Sequence, residues 1–276
     1  MAVDFIGIGA QKAGTSWVYT CLYEHPEVCA PVKELHFFSR PRYRQGLEWY
    51  ERHFVSCRPE QKRGEFSTSY LASLEAPARI KECYPDVRLI AILRNPVDRA
   101  YSQYRNAIKA GEIEPSESFS HYVATEQSCL AQGRYYAQIS RYLSAFPREQ
   151  VLILIYEDSY HDPATFMSRI YQHLGVDATF TAPALTTKVN PARVYRHPGF
   201  AQGMHRAAEG LRRLGLDRLV YGLKQTGLTE WVHRRNTSTE PAPEAPDLAR
   251  YREYFREDVS KLSKLLNRDL HSFWQL

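Results

Sequence analysis

The stretch Phe5-Ile6-Gly7-Ile8-Gly9-Ala10-Gln11-Lys12-Ala13-Gly14-Thr15-Ser16-Trp17 decides how this chain folds. A short apolar run, Phe5 to Gly9, leads into a turn rich in Gly and Lys. Thr15 to Tyr23 then has helical character and ends before His25-Pro26, which predicts a strand, a loop and a helix in that order. The pattern returns at Val87 to Leu93, a buried-strand run closed by Arg94-Asn95-Pro96, with a helix from Val97 towards Lys109. A third strand, Val151 to Ile155, follows the helix-like Gln138 to Phe146. Asp162 and Pro163 then supply the cap and first turn of a helix over Ala164 to Leu174. Buried apolar strands alternating with helices predict an α/β fold around a parallel sheet.

Gly9 to Gly14 keeps the G-x-x-x-x-G spacing of a phosphate-binding loop, but Thr15 stands where a nucleotide triphosphatase carries lysine. The lysine sits inside the loop, at Lys12. Backbone N–H groups at a helix N-terminus, together with the Thr15 and Ser16 hydroxyls, offer several donors to one phosphate. Lys12 adds a single positive charge. The displaced lysine and the lack of an evident acidic strand end for magnesium argue against ATP hydrolysis, leaving a nucleotide kinase or NTPase as the weaker alternative. An ordinary glycine-containing turn is the plainer reading of the spacing, and Lys12, Thr15, Ser16 and Trp17 count against it. Arg94, closing the second strand, is placed to grip a second phosphate, with Ser102 two helical turns on adding a hydroxyl. Two anion-holding turns, one per βα unit, match a nucleotide phosphorylated at both ends of its ribose.

The bulk properties narrow the class. With 276 residues, 43% of them hydrophobic, the chain can bury one large core, so one domain over 1–276 is expected. Lys and Arg number 36 against 31 Asp and Glu, a net charge of +5 without dense basic runs. That excess suits small anionic ligands and argues against a nucleic-acid partner. The five scattered cysteines, Cys21, Cys29, Cys57, Cys83 and Cys129, show no CxxC spacing and are expected to be reduced thiols. No run is apolar and long enough to span a bilayer, and residues 1–12 do not resemble a signal peptide, so a cytoplasmic location is expected. Residues 205–235 carry Arg206, Arg212, Arg213, Arg218, Lys224, Arg234 and Arg235 among leucines. This basic segment fits a solvated helix face, an anionic acceptor or peripheral membrane contact. The Pro-, Ala-, Ser- and Thr-rich stretch 236–246 is predicted to be a loop, completing a variable segment over 205–246. Within the C-terminal segment 247–276, Asp247 caps a last helix that docks Leu248, Tyr251, Phe255, Val259, Leu262 and Leu266 on the core. The 19 tyrosines fit core edges or stacking walls for an acceptor.

At this point a resemblance becomes specific. QKAGTSW at 11–17 resembles the 5′-phosphosulfate loop of the sulfotransferase family, and RLIAILRNPVDRAYSQY at 88–104 is similar to its 3′-phosphate strand and helix. KELHFF at 33–38, GEFSTSYL at 64–71 and GRYYAQISRYLSAFPREQVLIL at 133–154 resemble the branch holding heparan sulfate sulfotransferases and bacterial relatives. The resemblance covers roughly residues 4–175. It implies a P-loop-like three-layer fold, a central parallel sheet flanked by helices. The donor it implies is 3′-phosphoadenosine 5′-phosphosulfate (PAPS), leaving adenosine 3′,5′-bisphosphate (PAP). Lys12, Ala13, Gly14, Thr15, Ser16 and Trp17 map to the 5′ side, Arg94 and Ser102 to the 3′-phosphate, and Tyr135 to a tyrosine near the nucleotide. A sulfuryl group carries less charge than a terminal phosphoryl group, so lysine and backbone dipoles suffice and no metal is expected. The acceptor is left open among glycans, lipids and small natural products. Phe66 stands where the heparan sulfate enzymes have lysine, and their cysteine-bounded Lys-Gly-Arg loop is missing, with Lys188, Asn190 and Arg193 as candidate substitutes.

An acceptor hydroxyl must lose a proton as it attacks, so a base is needed within hydrogen-bond reach. If Glu34-Leu35-His36-Phe37-Phe38 is extended, Glu34 and His36 face one side and Leu35 and Phe37 the other. The resemblance makes Glu34 the base and His36 its neighbour or competitor. Lys33 either holds substrate or pairs with Glu34. A nucleotide-binding module without activity is the remaining alternative.

Overall fold

A computed structural model describes residues 3–186 and 248–276, together with the backbone of 194–195 and 237–238. Its central strand, β1 (Phe5–Gly9), is buried at every position. Parallel neighbours flank it: β3 (Lys62–Phe66) on one edge and β4 (Arg88–Leu93) on the other. With β2 (Val28–Cys29) and β5 (Val151–Ile155), the sheet runs β2-β3-β1-β4-β5, and every pairing is parallel. A parallel strand covered by helices on both faces needs an uninterrupted apolar run. FIGIG, RLIAIL and VLILI supply such runs, and they are the strands the sequence made visible.

Among the described residues the helices are α1 (Thr15–Glu24), α2 (Leu47–Glu51), α3 (Ala76–Cys83), α4 (Pro96–Ala110), α5 (Phe119–Thr125), α6 (Ser128–Ala131), α7 (Tyr135–Ala145), α8 (Asp158–His161), α9 (Pro163–Leu174), α10 (Arg252–Leu266) and α11 (Leu270–Trp274). Two backbone pieces, Val194–Tyr195 and Thr237–Ser238, pair antiparallel. Helix α9 shows how the sequence sets both ends. The Asp162 side chain accepts from Thr165 N–H at 2.9 Å, Pro163 opens the first turn, and Gly175 leaves the helix at φ 70°. Phe166, Met167, Ile170, Tyr171 and Leu174 fall on one face and are buried.

The chain divides into two compact units, residues 1–100, 130–190 and 249–276 in one and 101–129 with 191–248 in the other. The first contains the whole parallel sheet. In that unit α10 packs on α7 through Phe255, Val259 and Leu262, each worth roughly 1.5–3 kcal/mol of burial. The buried Asp258 carboxylate accepts Tyr136 N–H at 3.1 Å. The helix begins at Arg252 after a short turn over Ala249–Tyr251, and Leu266 is only half-buried. Asp247, the basic stretch 205–235 and Lys188, Asn190 and Arg193 lie outside the described residues. Tyrosines serve the core: Tyr50, Tyr70, Tyr135, Tyr142 and Tyr171 are fully buried.

The expectation of five reduced thiols is overturned. Cys29 and Cys57 are joined in a disulfide, with Cα atoms 5.6 Å apart, while Cys21, Cys83 and Cys129 are free. The pair escaped the sequence because 28 residues separate the partners. Pairing of β2 with β3 brings the end of β2 back against the residues before β3. The thiol argument for a reducing compartment therefore no longer holds for these two residues.

Candidate active site

In an open parallel sheet, ligands bind beyond the carboxyl ends of the strands, where the connections diverge to opposite sides. Here the divergence lies at β1, because β2 and β3 are laid to one side and β4 and β5 to the other. The Lys12 turn leaves β1, Arg94 leaves β4, and Ser67 to Tyr70 leave β3.

The first turn is shaped to present N–H groups. Lys12 (φ 68°) and Gly14 (φ 77°) are both left-handed. Gly14 caps α1 without any side-chain hydrogen bond, and no acidic residue lies in the helix's first turn, so the positive end of the helix faces outward undiminished. Only glycine fits at 14, since a Cβ there would lie 2.1 Å from the Tyr156 ring. Ala13 and Thr15 are buried, and Ser16 Oγ accepts from Lys33 Nζ at 2.8 Å. Trp17 has its backbone N–H on Gly14 O at 3.0 Å, whereas its indole N–H donates to Ala184 O at 3.2 Å and its ring packs on Phe166. Its side chain thus anchors α1 to the turn at Pro183–Thr186.

Arg94 donates to Lys12 O at 3.1 Å, so the turns after β1 and β4 are in direct contact. Its guanidinium also lies 5.6 Å from the centre of the Tyr156 ring, and its carbonyl accepts from Tyr135 OH at 3.0 Å. Burial pushes the Tyr135 phenol well above its usual range, which keeps it a donor. Asn95 fixes the turn: its N–H donates to Glu157 Oε1 at 2.8 Å, and its Oδ1 accepts from Val97 N–H at 3.0 Å. Its amide donates to Trp274 O at 3.0 Å, and Trp274 Nε1 donates to Glu157 Oε2 at 3.2 Å. Burial raises the Glu157 carboxyl above its ordinary value. Ser102 lies on α4 within the second unit.

The segment carrying Glu34 differs from its expected form. It is not an extended strand. Lys33 makes a single parallel bridge to Phe66, after which Glu34 (φ 63°) and His36 (φ 54°) are both left-handed. The alternation of faces persists, with Leu35 and Phe37 buried and Glu34 and His36 on the open side, in contact at 3.1 Å. Thr68 donates to the Glu34 carboxylate from both its backbone N–H and its hydroxyl, each at 3.1 Å. Lys33 Nζ sits 3.6 Å from Glu34 Oε1 while holding Ser16. Burial pushes the Lys33 ammonium below its usual range, and the Glu34 charge opposes that shift. His36 Nδ1 lies 2.7 Å from Ser69 Oγ, so Ser69 donates there when Nε2–H is turned to Glu34. The Glu34 side chain is 31% exposed, open enough for a proton-bearing acceptor to approach. Phe66, by contrast, is wholly buried and lies across Gly7, where a Cβ would meet its ring at 2.2 Å. The position occupied by lysine in the heparan sulfate enzymes here serves packing.

Thr68, Ser69, Tyr156 and Glu157 were missed in the sequence reading. All four follow directly on the carboxyl ends of β3 or β5, and strand ends next to the switch point are the signal that marks them.

The sequence profile of the sulfotransferase domain matches residues 3–192. Human bifunctional heparan sulfate N-deacetylase/N-sulfotransferase 3 is 34% identical over 198 residues, covering 62% of this chain and 22% of that protein. Human heparan sulfate glucosamine 3-O-sulfotransferase 3B1 is 34% identical over 181 residues, 63% of this chain and 46% of that protein. The chain thus spans less than half the length of these curated relatives. Among solved structures, a sulfotransferase from Alicyclobacillus acidocaldarius superposes with a TM-score of 0.70 at 26% identity, with all of both chains covered. The sulfotransferase domain from the curacin biosynthetic pathway shares the fold, with a TM-score of 0.51 at 15% identity, over 69% of this chain and 79% of that one. The chain belongs to the sulfotransferase family.

Proposed function

We propose that the protein transfers a sulfuryl group from PAPS to a hydroxyl or amine of an acceptor, with PAP as the second product. The observation that supports this most directly is the continuous link Ser16–Lys33–Glu34, which joins the phosphate-binding loop to a carboxylate through one ammonium group. A nucleotide kinase needs acids to hold magnesium at this place, whereas here Glu34 is engaged by Thr68, Lys33 and His36 and Glu157 by Asn95 and Trp274. To an anion the site offers a helix end without a side-chain cap, Lys12 and Arg94 on adjoining turns, which fits a nucleotide phosphorylated at both ends.

The donor supplies an electrophilic sulfur on a phosphate leaving group. Lys12 and the first-turn N–H groups of α1 hold the 5′ end and stabilise charge as it develops on that phosphate. Arg94 takes the 3′-phosphate. Glu34 accepts the acceptor's proton on a carboxylate oxygen, and Thr68, Lys33 and His36 fix that oxygen's direction. The named relatives act on heparan sulfate, so a glycan is the first acceptor class to test, with lipid and natural-product hydroxyls next. We assign acceptor choice in part to the basic segment 205–235.

Calorimetry with PAP, followed by an acceptor screen with radiolabelled PAPS, tests the reading. Folded protein should bind PAP, and Lys12→Ala should lower transfer by roughly 10²-fold or more, the usual scale for losing one preorganised charge-stabilising donor. No heat of association in a folded sample overturns it.

A further inference from the structure

Glu65 is a fully buried carboxylate on β3, next to the Phe66 that bridges to Lys33, and no step of the proposed transfer uses it. Ser67 Oγ and Tyr70 OH each donate to it at 2.6 Å, and Tyr50 OH lies at 3.4 Å. Those same two hydroxyl oxygens accept backbone N–H groups from the turn above. His36 N–H donates to Ser67 Oγ at 2.9 Å, and Phe37 N–H donates to Tyr70 OH at 2.9 Å. A hydroxyl has one proton. While Glu65 is ionised it takes that proton from both Ser67 and Tyr70, and both oxygens then face the turn purely as acceptors.

The turn needs such support. Left-handed backbone at a residue with a side chain costs about 1–2 kcal/mol, and Glu34 and His36 each bear it. Such a conformation persists only where its surroundings over-determine it. Phe37 and Phe38 anchor the turn from below in an aromatic cluster with Tyr50 and Tyr70, but ring packing does not fix the direction of backbone N–H groups. The two hydroxyls do.

We propose that Glu65 is a positioning residue for the transfer reaction: through Ser67 and Tyr70 it holds consecutive N–H groups of the Glu34–His36 turn and so aims the Glu34 carboxylate at the acceptor. It touches neither donor nor acceptor. The proposal rests on the assignment of Glu34 as base. Its test is built so that the two ideas fail separately.

Backbone amide exchange, followed by NMR on deuterated, 15N-labelled full chain, reads the hold directly. Ser67→Ala and Tyr70→Phe should each speed exchange of the one amide they accept, His36 and Phe37 respectively. The expected scale is about tenfold, that of one lost hydrogen bond. Glu65→Leu should speed both amides and leave those of β1 and β4 within about twofold. Glu65→Gln, which keeps one acceptor oxygen, should recover part of the protection. Radiolabelled-donor assays should show kcat falling at least about tenfold in Glu65→Leu and less in Glu65→Gln, with donor KM and PAP affinity within about twofold. If Glu65→Leu does not fold, the Ser67 and Tyr70 variants still decide. Unchanged exchange at His36 and Phe37, or equal acceleration throughout the sheet, overturns the positioning role. Failure of the unaltered chain to bind PAP overturns the functional reading and leaves the exchange result standing.

Discussion

Replacing Glu34 by glutamine separates a base from a bystander. Glutamine keeps the size of the side chain, and its carbonyl oxygen can still accept from Thr68 N–H and Oγ–H, so the turn should hold its shape. What it loses is proton affinity. Removing a general base costs about 10²–10⁴-fold in rate, or roughly 2.7–5.5 kcal/mol of barrier. His36→Asn provides the scale for comparison. It removes one charge-assisted contact to Glu34, worth about 1.5–3 kcal/mol, so its loss should be about 10–150-fold. Because Lys33 stands between Glu34 and Ser16 of the nucleotide loop, PAP affinity should move less than about threefold in either variant. Initial rates with radiolabelled donor and an acceptor from the screen, together with calorimetry on PAP, give both quantities. Retention of a third or more of kcat in Glu34→Gln refutes the assignment. A deeper loss in His36→Asn than in Glu34→Gln moves the base to His36.

Other outcomes follow from the same geometry. Gly14→Ala should lower stability by more than about 1 kcal/mol from left-handed strain alone. It should also abolish PAP binding, since its Cβ meets Tyr156; thermal melts and calorimetry check both. A Cys29→Ser, Cys57→Ser pair should lose about 3–4 kcal/mol in urea unfolding, the chain-entropy value for a loop of this length. Alkylation of the unaltered chain in denaturant should label the three free cysteines before reduction and all five after it. Glu65 predicts a pH effect on stability. Burial lifts its carboxyl from 4.5 to about 7, with the Glu34 charge adding to the rise and Ser67, Tyr70 and Tyr50 opposing it. The folded state then binds the proton more tightly than the unfolded state. Its cost is absent below the unfolded value, grows as pH rises towards the folded one, and is complete above it, about 3–4 kcal/mol in all. Urea unfolding at pH 5 and pH 8 should therefore show Glu65→Gln gaining on the unaltered chain at the higher pH; parallel curves rule this out.

Much of this protein is written in contiguous residues. A parallel strand buried on both faces must be apolar along its length, so Phe5–Gly9, Arg88–Leu93 and Val151–Ile155 announce themselves, and with them the α/β fold. The phosphate loop is equally local, because its spacing, its glycine and the start of its helix lie within a few residues. Glu34 and His36 are singled out through the resemblance of KELHFF to the sulfotransferase family, the alternation of the segment adding only a shared face. Tertiary structure alone decided how these pieces meet. Glu34 depends on Thr68, 34 positions away, and the Arg94–Asn95 turn on Trp274, 179 positions away. The disulfide joins Cys29 to Cys57 because β2 lies beside β3. The left-handed turn at Glu34 and His36 carries no glycine to signal it. Its N–H groups meet the Ser67 and Tyr70 hydroxyls, which both donate to Glu65, the penultimate residue of β3; strand order, which no local pattern encodes, brings them together.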